Sequence, residues 1–277
     1  QHRGRVPAAP AGRTAHAPSP SGGPVMLVQE LLKIVRRRGM YWSHIGAMLL
    51  AVVATLVVTL VVRGTQGEGD FVSRLDVLHA CRDVLSFAGF VMAALIGAQE
   101  GAYDVQQGTF RYLVMTGRSK LGLYLVRYPA FAIAVVAGML PAMALAALGA
   151  VALGQSVPDG VQTTDATGIG ASDLALLVWQ PVLVSLVFGA IALAVGALLR
   201  SVGGAIVVAL VLNLAGFNLL ALLTLISDSL DRVVLPIAIG VLTGSDDFGV
   251  PTAIVVVLAW LAVFVVAGAV RTTRAEY

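Results

Sequence analysis

The densest group of residues that could do chemistry lies in the segment 100–127 of this sequence. It begins with Glu100, continues with Tyr103 and Asp104, and includes Thr109 and Arg111 shortly afterwards. These side chains can form ion pairs and hydrogen bonds, but none of them is a nucleophile beside a base that could activate it. We therefore expect the segment to be a handle for another protein, or a solvated loop that only fixes topology.

Residue types suited to metal, redox or nucleotide chemistry are not grouped elsewhere. A single cysteine, Cys81, excludes an intramolecular disulfide and any multi-thiolate metal site within one chain. The nearest approach to a phosphate-binding loop, at 117–120, lacks the Gly-Lys-Ser/Thr ending that cradles nucleotide phosphates. The four histidines have no metal-ligand spacing. They are His2, His16, His44 and His79. We expect no catalytic residue, metal or cofactor in this chain, so any ATP and Mg²⁺ must be handled by a partner.

The composition indicates that a lipid bilayer surrounds most of the chain. Of 277 residues, 58% are hydrophobic and 12% are charged, against about 25% charged in ordinary soluble domains. Mean hydropathy is +0.90. A net charge of +3 does not indicate nucleic acid, because the basic residues are scattered between long apolar runs. The sequence predicts an all-α membrane protein whose first partner is membrane lipid.

Six segments come close to the roughly 20 apolar residues that a membrane-spanning helix needs. The second is the weakest, because Arg82 and Asp83 should fix its outer end. The predicted spans are 45–62, 84–98, 128–153, 174–199, 202–226 and 250–270.

The basic residues fall unequally on the two sides of these spans, which predicts orientation because lysine and arginine favour cytoplasmic loops. We expect both termini and the segment 100–127 in the cytoplasm. The less basic side receives Arg63, Arg74, Arg82 and Arg232. The other side receives eleven: Lys33, Arg36, Arg37, Arg38, Arg111, Arg118, Lys120, Arg127, Arg200, Arg271 and Arg274.

Small residues recur at every fourth position in the second and third spans, a spacing that favours close helix approach. Pro141 and Pro181 fall inside spans and should kink them. Asn213 and Asn218 are the most polar residues of the fifth span, and either interhelical hydrogen bonds or substrate contact could explain them. The stripes are Gly89, Ala93, Gly97 and Gly101, and Ala134, Gly138, Ala142, Ala146, Ala150 and Gly154.

The segment before the first span divides into two parts. Residues 1–25 are rich in Pro, Ala, Gly, Ser and Arg without apolar periodicity, which predicts a disordered tail. Residues 26–42 then alternate apolar and basic positions at a helical period, which predicts an interfacial helix on the inner leaflet. Its charged residues are Glu30, Lys33, Arg36, Arg37 and Arg38, which either meet lipid headgroups or only signal topology. The rest, 26–277, is one membrane domain.

Within the cytoplasmic segment 99–120 the sequence predicts a short helix. Gly108 should break the second helix, and Thr109 should cap a helix over 110–115 that ends near Gly117. Ser119 should then cap the helix that leads into the third span.

This segment resembles the cytosolic loop of bacterial ABC (ATP-binding cassette) exporter permeases of the second type. In that family a Glu after the second helix is followed by Gly-Thr, an Arg, an apolar run and basic residues. The 26–42 segment is similar to the family's interfacial "elbow" helix, and six spans match its layout. The family often has a proline where this sequence has Thr116 and Gly117. The matching residues are Glu100, Gly108, Thr109, Arg111, Leu113, Val114, Arg118, Lys120 and Arg127.

The resemblance implies a permease subunit in the bacterial cytoplasmic membrane, paired with an identical or different permease chain and two cytosolic ATPase subunits. ATP hydrolysis in those subunits would drive alternating access. We expect Tyr103, Phe110 and Leu113 to be apolar anchors to the ATPase. We expect Glu100, Asp104 and Arg111 to be its polar partners, with Gly108 and Thr109 shaping the turn.

Three other functional classes fit the sequence less well. A membrane scaffold or sensor subunit needs the same hydropathy but no moving handle. A secondary transporter usually shows a carboxylate inside its spans, and none lies near the centre of the six predicted here. An integral-membrane enzyme would need a polar constellation that is missing. The transported cargo cannot be read from the sequence.

Overall fold

A computed structural model of the chain describes residues 23–36, 38–65, 73–115, 117–153, 170–222, 232–245 and 248–274. The elements in these residues are helices, and most of the predicted tail, up to residue 22, lies outside them. They are α1 (Gly23–Arg36), α2 (Arg38–Thr65), α3 (Arg74–Gln106), α4 (Thr109–Met115), α5 (Lys120–Leu125), α6 (Arg127–Leu153), α7 (Ala171–Leu199), α8 (Val202–Val211), a π-helical segment (Leu212–Gly216), α9 (Phe217–Leu222), α10 (Leu235–Leu242) and α11 (Val250–Arg274).

Five helical stretches of the described chain are long and apolar enough to cross a membrane, so this is a multi-pass, all-α membrane protein. They contain the predicted first, second, third, fourth and sixth spans. The predicted fifth span corresponds to α8, the π segment and α9, of which Val202–Gly216 is a shorter apolar helix, and its last four residues lie outside the description. The five are Gly39–Thr65, Arg74–Gln106, Lys120–Leu153, Ala171–Leu199 and Val250–Arg274.

Helix α3 extends well beyond the predicted second span at both ends. It begins after Ser73, whose hydroxyl accepts a hydrogen bond from the Asp76 backbone N at 3.0 Å while the Asp76 carboxylate accepts from the Ser73 backbone N at 3.0 Å. This reciprocal cap satisfies two free N–H groups. Arg82 and Asp83 pair with each other at 3.0 Å. Both residues lie inside α3. That they fix the outer end of the membrane span stays a prediction.

The centre of the fold is a contact between α3 and α7 in which the two backbones touch. A methyl group at Gly97 would lie 2.1 Å from the carbonyl oxygen of Gly189, and one at Gly101 would lie 2.1 Å from that of Leu193. From the other side, a methyl group at Gly196 would lie 2.4 Å from the Ala98 oxygen. Only glycine permits this approach. The predicted small-residue face of the second span is confirmed.

The stripe on α6 is confirmed as a packing face as well. Gly138 lies against the His44 ring and Gly149 against the Leu56 side chain, both from α2. Helices α6 and α7 continue through Pro141 and Pro181. The alanines of the stripe are all buried, and they are Ala134, Ala142, Ala146 and Ala150.

Polar contacts gather several helix ends at one end of the bundle, which we call the α4 end. These contacts join the end of α3 to the start of α8, the start of α5 to the end of α11, and the end of α7 to the end of α11. The loops at this end are the ones to which the predicted spans assign the larger set of basic residues. The contacts are the Val202 backbone N to Gln106 Oε1 (2.8 Å), Lys120 Nζ to Thr273 O (3.4 Å) and Arg200 Nη2 to Arg271 O (3.3 Å).

Candidate functional site

A tight turn at the α4 end joins α3 to α4. The backbone N of Gln107 donates to the Tyr103 oxygen at 2.9 Å, and that of Gly108 donates to the Val105 oxygen at 3.1 Å. Gly108 has φ +72° and Gly117, after α4, has φ +84°, a region that favours glycine. The predicted breaks on either side of the short helix are therefore present.

Charged side chains from three helices meet under this turn in an ion cluster formed by Glu30 and Lys33 of α1, Glu100 and Asp104 of α3, and Arg127 of α6. Asp104 Oδ2 lies 2.6 Å from Lys33 Nζ and 2.8 Å from Arg127 Nη2. Lys33 Nζ also lies 2.6 Å from Glu30 Oε2 and 3.8 Å from Glu100 Oε2. Lys33 thus bridges carboxylates of two helices.

Arg127 ties the cluster to the backbone of α3 and to α4. Its Nη1 donates to the carbonyl oxygens of Glu100 at 3.0 Å and Gly101 at 3.3 Å. Its guanidinium carbon lies 5.4 Å from the centre of the Phe110 ring, within the range of a cation–π contact. The planar fork of arginine allows one side chain to make all these contacts. Arg127 is therefore the residue that joins α3, α4 and α6.

The cluster is largely withdrawn from solvent. Glu100 is 1% exposed, Arg127 3% and Asp104 4%. Removing one partner of such a buried pair leaves an uncompensated charge and destabilises by about 3–5 kcal/mol. Because its members come from different helices, the pairing holds α1, α3 and α6 at a fixed distance, with α4 held through the Phe110 ring.

Three of the predicted ATPase contacts lie inside the protein instead of on its surface. Phe110 is 1% exposed and packs on Arg127, while Glu100 and Asp104 belong to the ion cluster. Thr109 is the first residue of α4, and its hydroxyl donates to the Asp104 backbone oxygen at 3.1 Å. In this conformation these residues position the segment, and their contact with a partner stays a prediction.

The remaining predicted residues are accessible, together with two that the sequence analysis missed. Arg111 is exposed, Tyr103 is 37% exposed and Leu113 is half-buried. Tyr112 and Met115, at 69% and 64%, are the most exposed apolar side chains of α4. We call Arg111, Tyr112 and Met115 the α4 outer face. Tyr112 and Met115 follow Arg111 by one and four residues, which puts all three on the side of the helix away from Phe110. This spacing could have been recognised in the sequence.

Helix α1 packs along the start of α6. Ile34 is 1% exposed and clusters with Tyr41, Ala130 and Ala134. Lys33 belongs to the ion cluster, so it is not part of an outward basic face. Arg36 is exposed, and its contact with lipid stays a prediction. Arg37 and the Arg38 side chain lie outside the described residues.

Ser119 is confirmed as the cap of the helix leading into the third span. Its hydroxyl accepts a hydrogen bond from the Gly122 backbone N at 3.0 Å. This cap fixes where α5 begins, directly after the turn that follows α4.

No group of three or more His, Cys, Asp or Glu side chains in the described part of the chain is placed to hold a metal ion. Comparison of the sequence with protein-family models and with curated proteins gives no match. The case for a function therefore rests on the geometry of the α4 end.

Proposed function

We propose that this chain is the transmembrane permease subunit of an ATP-driven exporter in a bacterial cytoplasmic membrane. In this proposal ATP hydrolysis takes place in separate cytosolic ATPase subunits, and a second permease chain completes the assembly. The observation that carries the proposal is the α4 end, where a short helix is held by a buried ion cluster and presents an exposed aromatic and basic face.

The arrangement of helix ends supports six crossings with both termini in the cytoplasm. Arg200, after α7, contacts Arg271, near the end of α11, so both helices finish at the α4 end. The two helices run in the same direction, so the chain between 199 and 250 has to return across the bundle. In this proposal the segment beginning at Val202 makes that return; it is the fifth crossing along the chain and brings the total to six. We assign the α4 end to the cytoplasm, because lysine and arginine are in excess there.

The ion cluster makes α4 a suitable handle. A push on the α4 outer face passes through the Phe110–Arg127 contact to α6, and through Asp104 to α3 and α1. An ATPase can shift the permease between two states only if it contacts this face differently in each. We assign Arg111 and Tyr112 to that contact, and Glu100, Asp104 and Phe110 to holding the segment.

Purification from membranes of the native host tests the assignment. The outer-face variant is Arg111→Ala with Tyr112→Ser. The matched control at the same end is Arg274→Ala with Leu121→Ser, because Arg274 is exposed and Leu121 is 43% exposed. We expect the wild type and the control to retain an ATPase with phosphate-binding and signature motifs and vanadate-sensitive ATP hydrolysis. The outer-face variant should lose about tenfold of both, as expected for interface residues worth more than about 1 kcal/mol.

Equal ATPase recovery by wild type, control and outer-face variant would refute the assignment of Arg111 and Tyr112. Transport driven by an ion gradient without ATP would refute the proposed function itself.

The orientation of the chain in the membrane is tested separately. In a Cys81→Ala background, Tyr112→Cys should react with a membrane-impermeant maleimide only after the cells are permeabilised. Reaction in intact cells would place the handle outside and contradict the exporter model.

A further inference from the structure

A cavity of about 350 Å³ lies between α3, α7, the π segment and α10, away from the ion cluster. Its volume falls in the range of small-molecule sites, roughly 300–1,000 Å³. Phe87 and Asp83 stand on α3 at its rim, where Phe87 is 63% exposed and the Asp83 side chain 60% exposed. The cavity is therefore open and can be entered without rearrangement.

The interior of this cavity contains a buried amide without a partner. Asn213 is 3% exposed, and within the described part of the chain neither its Oδ1 nor its Nδ2 makes a hydrogen bond. A buried polar group left without a partner destabilises a protein by about 1–3 kcal/mol. Such a group in an open cavity is therefore expected to serve a ligand.

The backbone around Asn213 is unusual as well. The residue stands in the π segment Leu212–Gly216 between two α-helices. Single π turns inside α-helices are rare and occur frequently at functional sites, because the wider turn redirects side chains. Here the turn and the unpartnered amide coincide, although they are independent observations.

Aromatic rings form the apolar wall of the cavity. The ring centres of Phe90 and Phe188 are 5.2 Å apart at 73°, an edge-to-face pair, and Phe87 lies 6.1 Å from Phe90. Phe188 continues to Phe217 at 5.6 Å. A wall of fixed rings favours a flat aromatic ligand, which can stack on it at little entropic cost.

The charge at the rim is already neutralised. Asp83 is paired with Arg82 at 3.0 Å, and Gln180 adds a second uncharged amide to the lining. A cationic ligand would have to compete with Arg82 for Asp83. The lining therefore favours a neutral molecule over a charged one.

We propose that this cavity is a binding site for a neutral aromatic amphiphile carrying one group, such as a carboxamide, that both donates and accepts hydrogen bonds. The group pairs with Asn213, and the aromatic body packs against Phe90 and Phe188, stacking on one ring and meeting the other edge-on. Asn213 lies twelve residues after Ser201, which corresponds to about 18 Å along the helix from the α4 end. This depth is past the middle of a hydrocarbon core that is about 30 Å thick. The site does not depend on the proposed transport function, because it makes a claim about binding alone.

Photolabelling of the purified full-length chain in detergent tests this inference. The probe is benzophenone-4-carboxamide, and unsubstituted benzophenone, which lacks the hydrogen-bonding group, is the matched control probe. We expect the carboxamide to label peptides of α3 and the π segment about tenfold more than benzophenone does, as one buried hydrogen bond predicts. Asn213→Leu, which keeps the number and branching of the side-chain heavy atoms but has no hydrogen-bonding group, should remove this difference and leave benzophenone labelling unchanged.

Equal labelling of the wild type by the two probes would overturn the inference and leave water or a lipid chain as the occupant. Carboxamide labelling that is unchanged in Asn213→Leu would also overturn it. If Asn213→Leu does not fold, Val184→Phe provides the test. Val184 lines the cavity from α7, and a phenyl ring at this position should fill the cavity. Loss of carboxamide labelling in that variant supports the site, and unchanged labelling refutes it.

Discussion

Replacing Arg127 should destabilise the protein more than neutralising its carboxylate partner. Arg127→Met removes the ion pair with Asp104 at 2.8 Å, two hydrogen bonds to α3 carbonyls and the contact with the Phe110 ring. Asp104→Asn keeps an oxygen that can still accept from Arg127 and Lys33. The asymmetry arises because one residue joins three helices while the other keeps its acceptor after substitution.

The magnitudes follow from burial. Loss of one member of a buried pair costs about 3–5 kcal/mol, and we expect the lower end for Arg127→Met because Lys33 still lies 2.6 Å from Asp104. Exchanging a charged acceptor for a neutral one in Asp104→Asn should cost about 1.5 kcal/mol, the lower end for a hydrogen bond to a charged group, because the amide oxygen still accepts. Arg127→Lys, which keeps the charge but loses the fork, should fall between the two. Combining Arg127→Met with Asp104→Asn should cost less than the sum, by about 0.5–3 kcal/mol.

Steric trapping of the purified chain in bicelles measures these free energies of unfolding. The expected order of destabilisation is Arg127→Met, then Arg127→Lys, then Asp104→Asn. If Asp104→Asn were as destabilising as Arg127→Met, Arg127 would not be the residue joining the helices. If all three variants lay within about 0.5 kcal/mol of the wild type, the cluster would be solvated and the handle not held rigidly.

Two further predictions concern packing inside the bundle. Gly101→Ala should destabilise by about 3 kcal/mol or more, because the added methyl would meet the Leu193 backbone oxygen at 2.1 Å. Gly46→Ala should be neutral or stabilising in the same assay, because a methyl there would have no atom of another described segment within 4 Å. Equal effects would refute the backbone contact. His44→Leu should stabilise by about 1 kcal/mol, because both ring nitrogens of this fully buried histidine lack a partner among the described residues. A lower melting temperature of His44→Leu than of the wild type would show that a bound water or another group pairs with the His44 ring.

Much of the architecture could be predicted because membrane helices follow from local composition. Five of the six predicted spans correspond to long apolar helices, and the four-residue spacing of Gly97 and Gly101 indicated a close helix contact. The length of α3 could not be predicted, because Arg82 and Asp83 are costly at the centre of a membrane span and so limited the predicted span to 84–98. Their mutual pairing and the cap at Ser73 depend on geometry that composition does not contain.

The candidate segment could be picked out along the chain, but which of its side chains are buried could not be predicted. A helix seven residues long has a visible period, yet only tertiary contacts decide which side faces the protein. Arg127 buries Phe110 from another helix, so Phe110 faces inward and Tyr112 outward. Likewise, no local pattern reveals that Lys33 and Asp104, 71 residues apart, form an ion pair.

The seam where α3 and α7 touch backbone to backbone leaves no side chain that could yield, so the two helices must travel as one body. This body carries Glu100 and Asp104 of the ion cluster and, through Phe90 and Phe188, the aromatic side of the cavity. A displacement started at the α4 end should therefore reach the cavity without being absorbed between these two helices. Among the described residues that line the cavity, Asn213 and Pro236 lie outside that body, so the gap should widen or shut on the side of the π segment and α10.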